Sequence, residues 1–150
     1  MISTMIDFAD VLLAALLVGA MFGVWLILSP ARRTPVLYIT LHQQGIRTLN
    51  TALPAFGVAT VVLSVAAAVL ARGQTARFSL LVATAACFMA GGLITRFRNQ
   101  QINATVSTWD SQAPPANWSD LSDKWLQWHV IRLLVGLGGL SLLIAAMLRR

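Results

Sequence analysis

Apolar positions fall in long blocks along this chain, and the charged residues lie between them. Four stretches, 11–28, 48–71, 78–95 and 133–148, carry no charge at all. A helix needs roughly 20 apolar residues to cross about 30 Å of hydrocarbon, and each stretch reaches that length with its flanks. A soluble helical core would show polar outer faces on the same helices, and these stretches lack them. The pattern predicts an all-α fold: an integral membrane four-helix bundle forming a single domain over 1–150. An amphipathic helix is expected before the second span. A connector rich in Trp and Asn, 96–124, joins the third and fourth spans.

The punctuation of these blocks sets the expected boundaries. The first span should run over about 5–28 and stop at Ser29-Pro30, with Thr4 and Asp7 spaced as a helix capping box. Gly19 and Gly23 form a GxxxG pair, a surface for close approach by another helix, internal or from a second copy. Pro35 opens the amphipathic helix, which is expected to feed straight into span 2, where Pro54 would kink the first buried turn. A basic turn at 72–77 leads into span 3, whose Ala90-Gly91-Gly92 is a second expected point of close helix contact. Helical spacing then continues past the membrane through Asn103 toward Thr108, until Ala113-Pro114-Pro115 breaks it. Asn117 is a suitable N-cap for a last helix that meets no breaker before Arg149.

Composition adds exclusions. Charged residues make up 11% of the chain, where a soluble domain carries about 25%. The net charge of +6 resides on residues flanking the spans, which fits membrane anchoring and not nucleic acid. Cys87 is the only cysteine, so no CxxC redox pair exists. No Lys or Arg precedes the first span, which speaks against a cleavable signal peptide. Four spans put both termini on one side with the 72–77 turn. Arg32, Arg33, Arg47, Arg96, Arg98 and Lys124 gather on the other side, against Arg72, Arg77, Arg149 and Arg150. The positive-inside rule then places that other side in the cytoplasm, and a bacterial inner membrane is the expected location.

Three helix ends on that side carry polar stripes at helical spacing. They are Tyr38, His42, Ile46 and Asn50; then Gly92, Arg96, Asn99 and Asn103; then Trp118, Leu121, Trp125, His129, Arg132 and Gly136. Arg132 lies about one turn inside its span. A charge at that depth faces a bundle interior or cavity and has a partner. With no acidic residue expected in the apolar centre, Asn side chains, backbone carbonyls or an anionic ligand remain. Plainer readings compete. An aromatic belt accounts for Trp25, Trp109 and Trp128, and Asn99 and Asn103 can serve as interhelical glue. The chain has no Glu, which excludes a di-iron carboxylate bundle. Two histidines and one cysteine cannot close a structural zinc site. They can hold at most one bis-His haem b, through His42 and His129, with Arg132 near a propionate. A non-catalytic assembly module built on Gly19 and Gly23 is a third reading.

The series N-Q-x-I-N, W, P-P-x-x-W and W-x-x-W-H-x-x-R occupies Asn99, Asn103, Trp109, Pro114, Pro115, Trp118, Trp125, Trp128, His129 and Arg132. Together with Y-x-x-x-H-Q-Q-x-I-R-x-L-N-x-x-x-P, which carries His42, Asn50 and Pro54, it resembles the anthrone oxygenase-like family. These are small four-helix membrane proteins, and this chain is most similar to their bacterial branch. Fungal members oxidise anthrones to anthraquinones, and they commonly have a Pro before the Asn where this chain has Arg96-Phe97-Arg98. The resemblance implies an oxidation of a flat lipophilic phenol or quinol with no required cofactor. It also implies roles. His129 would be the base, and Arg132 with Asn99 or Asn103 would stabilise an oxyanion. Trp118 and Trp125 would stack on the rings, and His42 and Asn50 would complete the substrate pocket.

Overall fold

A computed structural model describes residues 2–31 and 34–149. Arg32, Arg33 and Arg150, three of the cations counted for topology, lie outside the described residues. Among the described residues six α-helices follow in order: α1 (Ile2–Ala31), α2 (Pro35–Leu49), α3 (Ala52–Leu70), α4 (Thr75–Ile94), α5 (Gln100–Val106) and α6 (Trp118–Met147). A π-turn, Thr95–Asn99, joins α4 to α5 without interrupting the rod. Helices α1, α3 and α6 and the continuous rod Thr75–Val106 are each long and apolar enough to cross a bilayer. The chain is an integral membrane protein.

The spans form a square in which α1 packs on α3, α3 on α4, α4 on α6, and α6 back on α1. Their outer faces are apolar: Leu12, Leu16, Phe22, Val58, Val65, Met89 and Leu134 are all exposed. Lipid covers such a surface, so what distinguishes the interior is shape and polarity rather than hydrophobicity. The inner core joins Leu17, Val18 and Met21 to Ala67, Leu81, Phe88, Leu133 and Leu143.

Several boundaries differ from the sequence expectations. Helix α1 begins at Ile2 and runs through Pro30 to Ala31, so Thr4 and Asp7 lie inside it and form no capping box. Asp7 is instead buried and accepts from Arg77 Nη2 at 2.6 Å. Asp10, fully buried one turn on, accepts from Ser64 Oγ at 2.8 Å. Carboxylates therefore do enter the bundle, at the end opposite the polar stripes. The amphipathic helix does not feed smoothly into span 2, because the chain breaks at Asn50 and Thr51. Pro54 explains the break: its missing N–H and its ring prevent a helical bond to Asn50, so the new helix starts just before it. Pro54 thus sits in the first turn of α3.

The glycines also sort differently. A Cβ added at Gly139 would lie 3.0 Å from Cys87 Cβ and 3.1 Å from the Phe88 ring, and one at Gly136 would lie 2.9 Å from Met21 Cε. These two let α6 approach α4 and α1. At Gly91 and Gly92 a Cβ would meet nothing within 4 Å, so they serve no close helix contact. At Gly19 and Gly23 likewise an added Cβ would meet nothing within 4 Å.

Candidate functional site

The polar stripes converge where α2, the π-turn, α5 and the first half of α6 meet. Two obligate donors fix the hydrogens of the network. Trp125 Nε1 can only donate, and it donates to Asn103 Oδ1 at 2.7 Å. That oxygen must be the acceptor, so His42 Nε2, 3.0 Å away, carries a proton and donates to it as well. His42 Nδ1 then has a free lone pair, which takes the hydroxyl proton of Tyr38 at 2.8 Å. Asn103 Nδ2 donates to Asn50 Oδ1 at 3.0 Å and ties in the C-terminal end of α2.

Arg132 fixes a second network. Its Nε and Nη2 donate to His129 Nδ1 at 3.2 and 2.7 Å. His129 therefore holds its proton on Nε2, which donates to the Met21 carbonyl of α1 at 2.9 Å. Arg132 Nη1 donates to Thr95 Oγ1 at 3.0 Å. One N–H on each terminal nitrogen is left without a protein acceptor among the described residues, and no carboxylate pairs with the guanidinium. The Trp125 indole joins the two networks. It stacks on His129 at 4.8 Å between ring centroids and lies 4.5 Å from the His42 ring. Burial pushes the His42 imidazole down to about 4. The bond with Asn103 acts against this, and the Arg132 charge adds to the lowering.

Two cavities meet at Arg132. The smaller, about 50 Å³, is lined by His42, Asn50, Asn103, Trp125, Thr95 and Arg132 among others. The larger, about 410 Å³, lies between α3 and α4 and reaches α1 and α6. Its lining is almost wholly apolar apart from Thr95, Arg96, Gln100 and Arg132. Leu53, Pro54, Thr95 and Arg132 line both.

Most of the sequence-derived site residues are brought together here. His42, Asn50, Asn103, Trp125 and Arg132 border the small cavity. Asn99 is fully buried behind it and donates to the Trp125 carbonyl at 3.1 Å. His129 lines neither cavity, and both its ring nitrogens are engaged. Trp118 lines neither and packs beside Tyr38, with 6.1 Å between ring centroids. Arg96 does not share the inward face with Asn99; it is exposed at the rim of the larger cavity. Thr95 takes the inward place, one residue earlier and so about 100° around the helix. Sequence reading missed it because the π-turn alters spacing here; such turns occur preferentially at functional sites. The buried Asp7–Arg77 and Asp10–Ser64 pairs were also missed. Two Asp residues three apart, in a helix otherwise apolar from Val11 to Leu28, were the available signal.

Fold and site together define a small intramembrane protein whose polar chemistry centres on a buried arginine without a counter-ion among the described residues. The chain belongs to the anthrone oxygenase family, whose profile matches residues 46–142. That match takes in Asn50, the π-turn, Asn103, Trp125, His129 and Arg132, and it leaves Tyr38 and His42 outside. No curated protein and no solved structure matches the chain.

Proposed function

We propose that this protein oxidises a lipophilic molecule with an acidic C–H beside an oxygen, in the manner of an anthrone, with Arg132 binding the oxygen as an anion. One observation carries the reading. Arg132 presents two N–H groups that no described residue accepts, at the wall shared by a polar pocket and an apolar cavity, and no carboxylate among the described residues neutralises it. An uncompensated cation at this depth is costly, and an enolate formed on the substrate is the anion that offsets it.

The network supports a division of roles. His129 keeps Arg132 in place, because its only free lone pair takes two guanidinium N–H groups. A proton added there would face the cation directly. His42 is the better proton acceptor: at Nδ1 it faces a neutral hydroxyl, which can rotate from donor to acceptor once the proton arrives. Asn103 continues to accept from Nε2 throughout. The Arg132 charge weakens His42 as a base, and an enolate on Arg132 cancels much of that effect. The site thus gains basicity as the anion forms. The carbanion adds to O₂, the resulting peroxide anion takes back the proton held by His42 to become a hydroperoxide, and loss of water across its C–H and O–O bonds leaves the ketone. One CH₂ and one O₂ become one C=O and one water.

A haem held by His42 and His129 fits poorly. All four ring nitrogens have protein partners within 3.2 Å, and the Trp125 indole packs against both imidazoles. The test is O₂ consumption with an anthrone in protein-containing bilayers. Arg132→Gln is expected to lower turnover about 100-fold or more, and His42→Gln comparably. Full turnover in Arg132→Gln rules out the proposed role of the guanidinium.

A further inference from the structure

The small cavity has room for no more than one or two waters, and the large one has the volume of a ligand pocket. A substrate body must therefore occupy the large cavity and meet Arg132 from that side. The mouth of this cavity is set by Val58 and Val62 on α3 and by Met89 and Leu93 on α4. Each of the four is more than half exposed and each also lines the cavity. These residues belong to the lipid-facing surface of the spans. The lining takes only the first half of α3 and the second half of α4, so the crevice opens at the end of the hairpin away from its turn.

Part of the aqueous approach is covered, although exposed Asn50 lines the small cavity and exposed Arg96 the rim of the large one. Tyr38 and Val106 are fully buried, and Trp125 is nearly so. Gln43 Nε2 pins the connector by donating to the carbonyls of Val106 and Trp109 at 2.9 and 2.8 Å. On the lipid side, Gly91 and Gly92 keep the passage open: both line the cavity, and neither is needed for helix packing. Two adjacent glycines in mid-helix disfavour the helix, so their use where nothing presses against them points to the space itself.

We infer that the crevice between α3 and α4 is a lateral portal, through which an amphiphile dissolved in the bilayer enters. Its apolar body fills the cavity, and its enol- or phenol-type oxygen docks on Arg132. The identity of the docked oxygen rests on the function proposed above, whereas the portal does not.

Cys87 lines the cavity and is the only cysteine, which makes it a built-in reporter. Wild-type protein in lipid nanodiscs is treated with either N-cyclohexylmaleimide, which partitions into lipid, or a sulfonate-bearing methanethiosulfonate, which does not. The lipid-soluble reagent is expected to label folded protein. The charged one should be slower by about tenfold or more relative to its rate on denatured protein, because its charge must leave water. Gly92→Leu should slow labelling by the maleimide several-fold, with normal labelling once denatured. An octyl-substituted naphthol should protect Cys87 in the wild type and fail to protect it in Arg132→Gln. Equal labelling by both reagents places the mouth in water and overturns the portal while leaving the role of Arg132 intact. Labelling of folded protein by neither reagent closes the crevice and overturns the portal too. Protection that survives in Arg132→Gln overturns the docking of the oxygen, and with it the proposed function, but not the portal.

Discussion

Asn103 Oδ1 is shared by two buried donors from different helices, and removing it tests whether that shared acceptor organises the site. In Asn103→Leu the side-chain volume is roughly kept. The Trp125 Nε1–H and His42 Nε2–H groups, now 2.7 and 3.0 Å from where the oxygen was, lose their only acceptor. A buried donor left unpaired costs about 1–3 kcal/mol, so the variant should lose roughly 2–6 kcal/mol. The Asn50 contact adds little, because Asn50 is exposed and water can replace it. Trp125→Phe removes one of the same two bonds but strands nothing, since Asn103 still accepts from His42. A single interhelical bond in a membrane protein averages about 0.6 kcal/mol, with a maximum near 1.7, and that is the expected loss. Unfolding midpoints in mixed micelles titrated with SDS would measure both variants. Asn103→Leu should be the worse by about 1 kcal/mol or more if the lost Trp125 bond is of average strength, and by about 0.3 kcal/mol at the least if it is of the strongest. In Asn103→Leu/Trp125→Phe the indole N–H is no longer stranded, so the double variant should be no less stable than Asn103→Leu alone. A loss in Asn103→Leu no larger than that in Trp125→Phe would refute the shared-acceptor argument.

Three further outcomes follow from the same geometry. The His42 imidazole lies near 4 in the folded protein against an ordinary value near 6.5, so the unfolded chain takes up its proton first as pH falls. Its contribution to stability is therefore complete above about pH 6.5 and is lost between there and pH 4. The size is on the order of 3 kcal/mol, and His42→Gln should flatten that part of a stability–pH profile. At the other end of the bundle, Asp7→Asn should cost about 3–5 kcal/mol by leaving the buried Arg77 guanidinium without this carboxylate. Asp7→Asn/Arg77→Met should recover most of it, and unchanged stability in Asp7→Asn would mean that the pair is solvated. Gly139→Ala should destabilise by crowding Cys87 and Phe88, whereas Gly91→Ala should stabilise by up to about 1 kcal/mol of helix propensity. Thermal melts in detergent compare the two, and a destabilised Gly91→Ala would show that the space beside Gly91 is occupied.

The four spans, the amphipathic helix at Pro35 and the extension of the third span past the membrane were all legible in the residue order. Each rests on a local cause: an apolar run long enough for the bilayer, a proline at a first turn, or a helical period without a breaker. The stripe logic likewise brought His42, Asn50, Asn103, Trp125 and Arg132 to one place, because residues one turn apart must share a face. Partnership is different, because it depends on which faces of separate helices meet. That His129 holds Arg132, that Thr95 and not Arg96 turns inward, and that Asp7 seeks Arg77 across 70 positions are decided by packing alone. The glycines make the same point. Gly91 and Gly139 look alike in sequence, yet one borders open space and the other a helix contact at 3.0 Å. A cavity is the volume that several helices leave unfilled together, so no single segment of the chain encodes it.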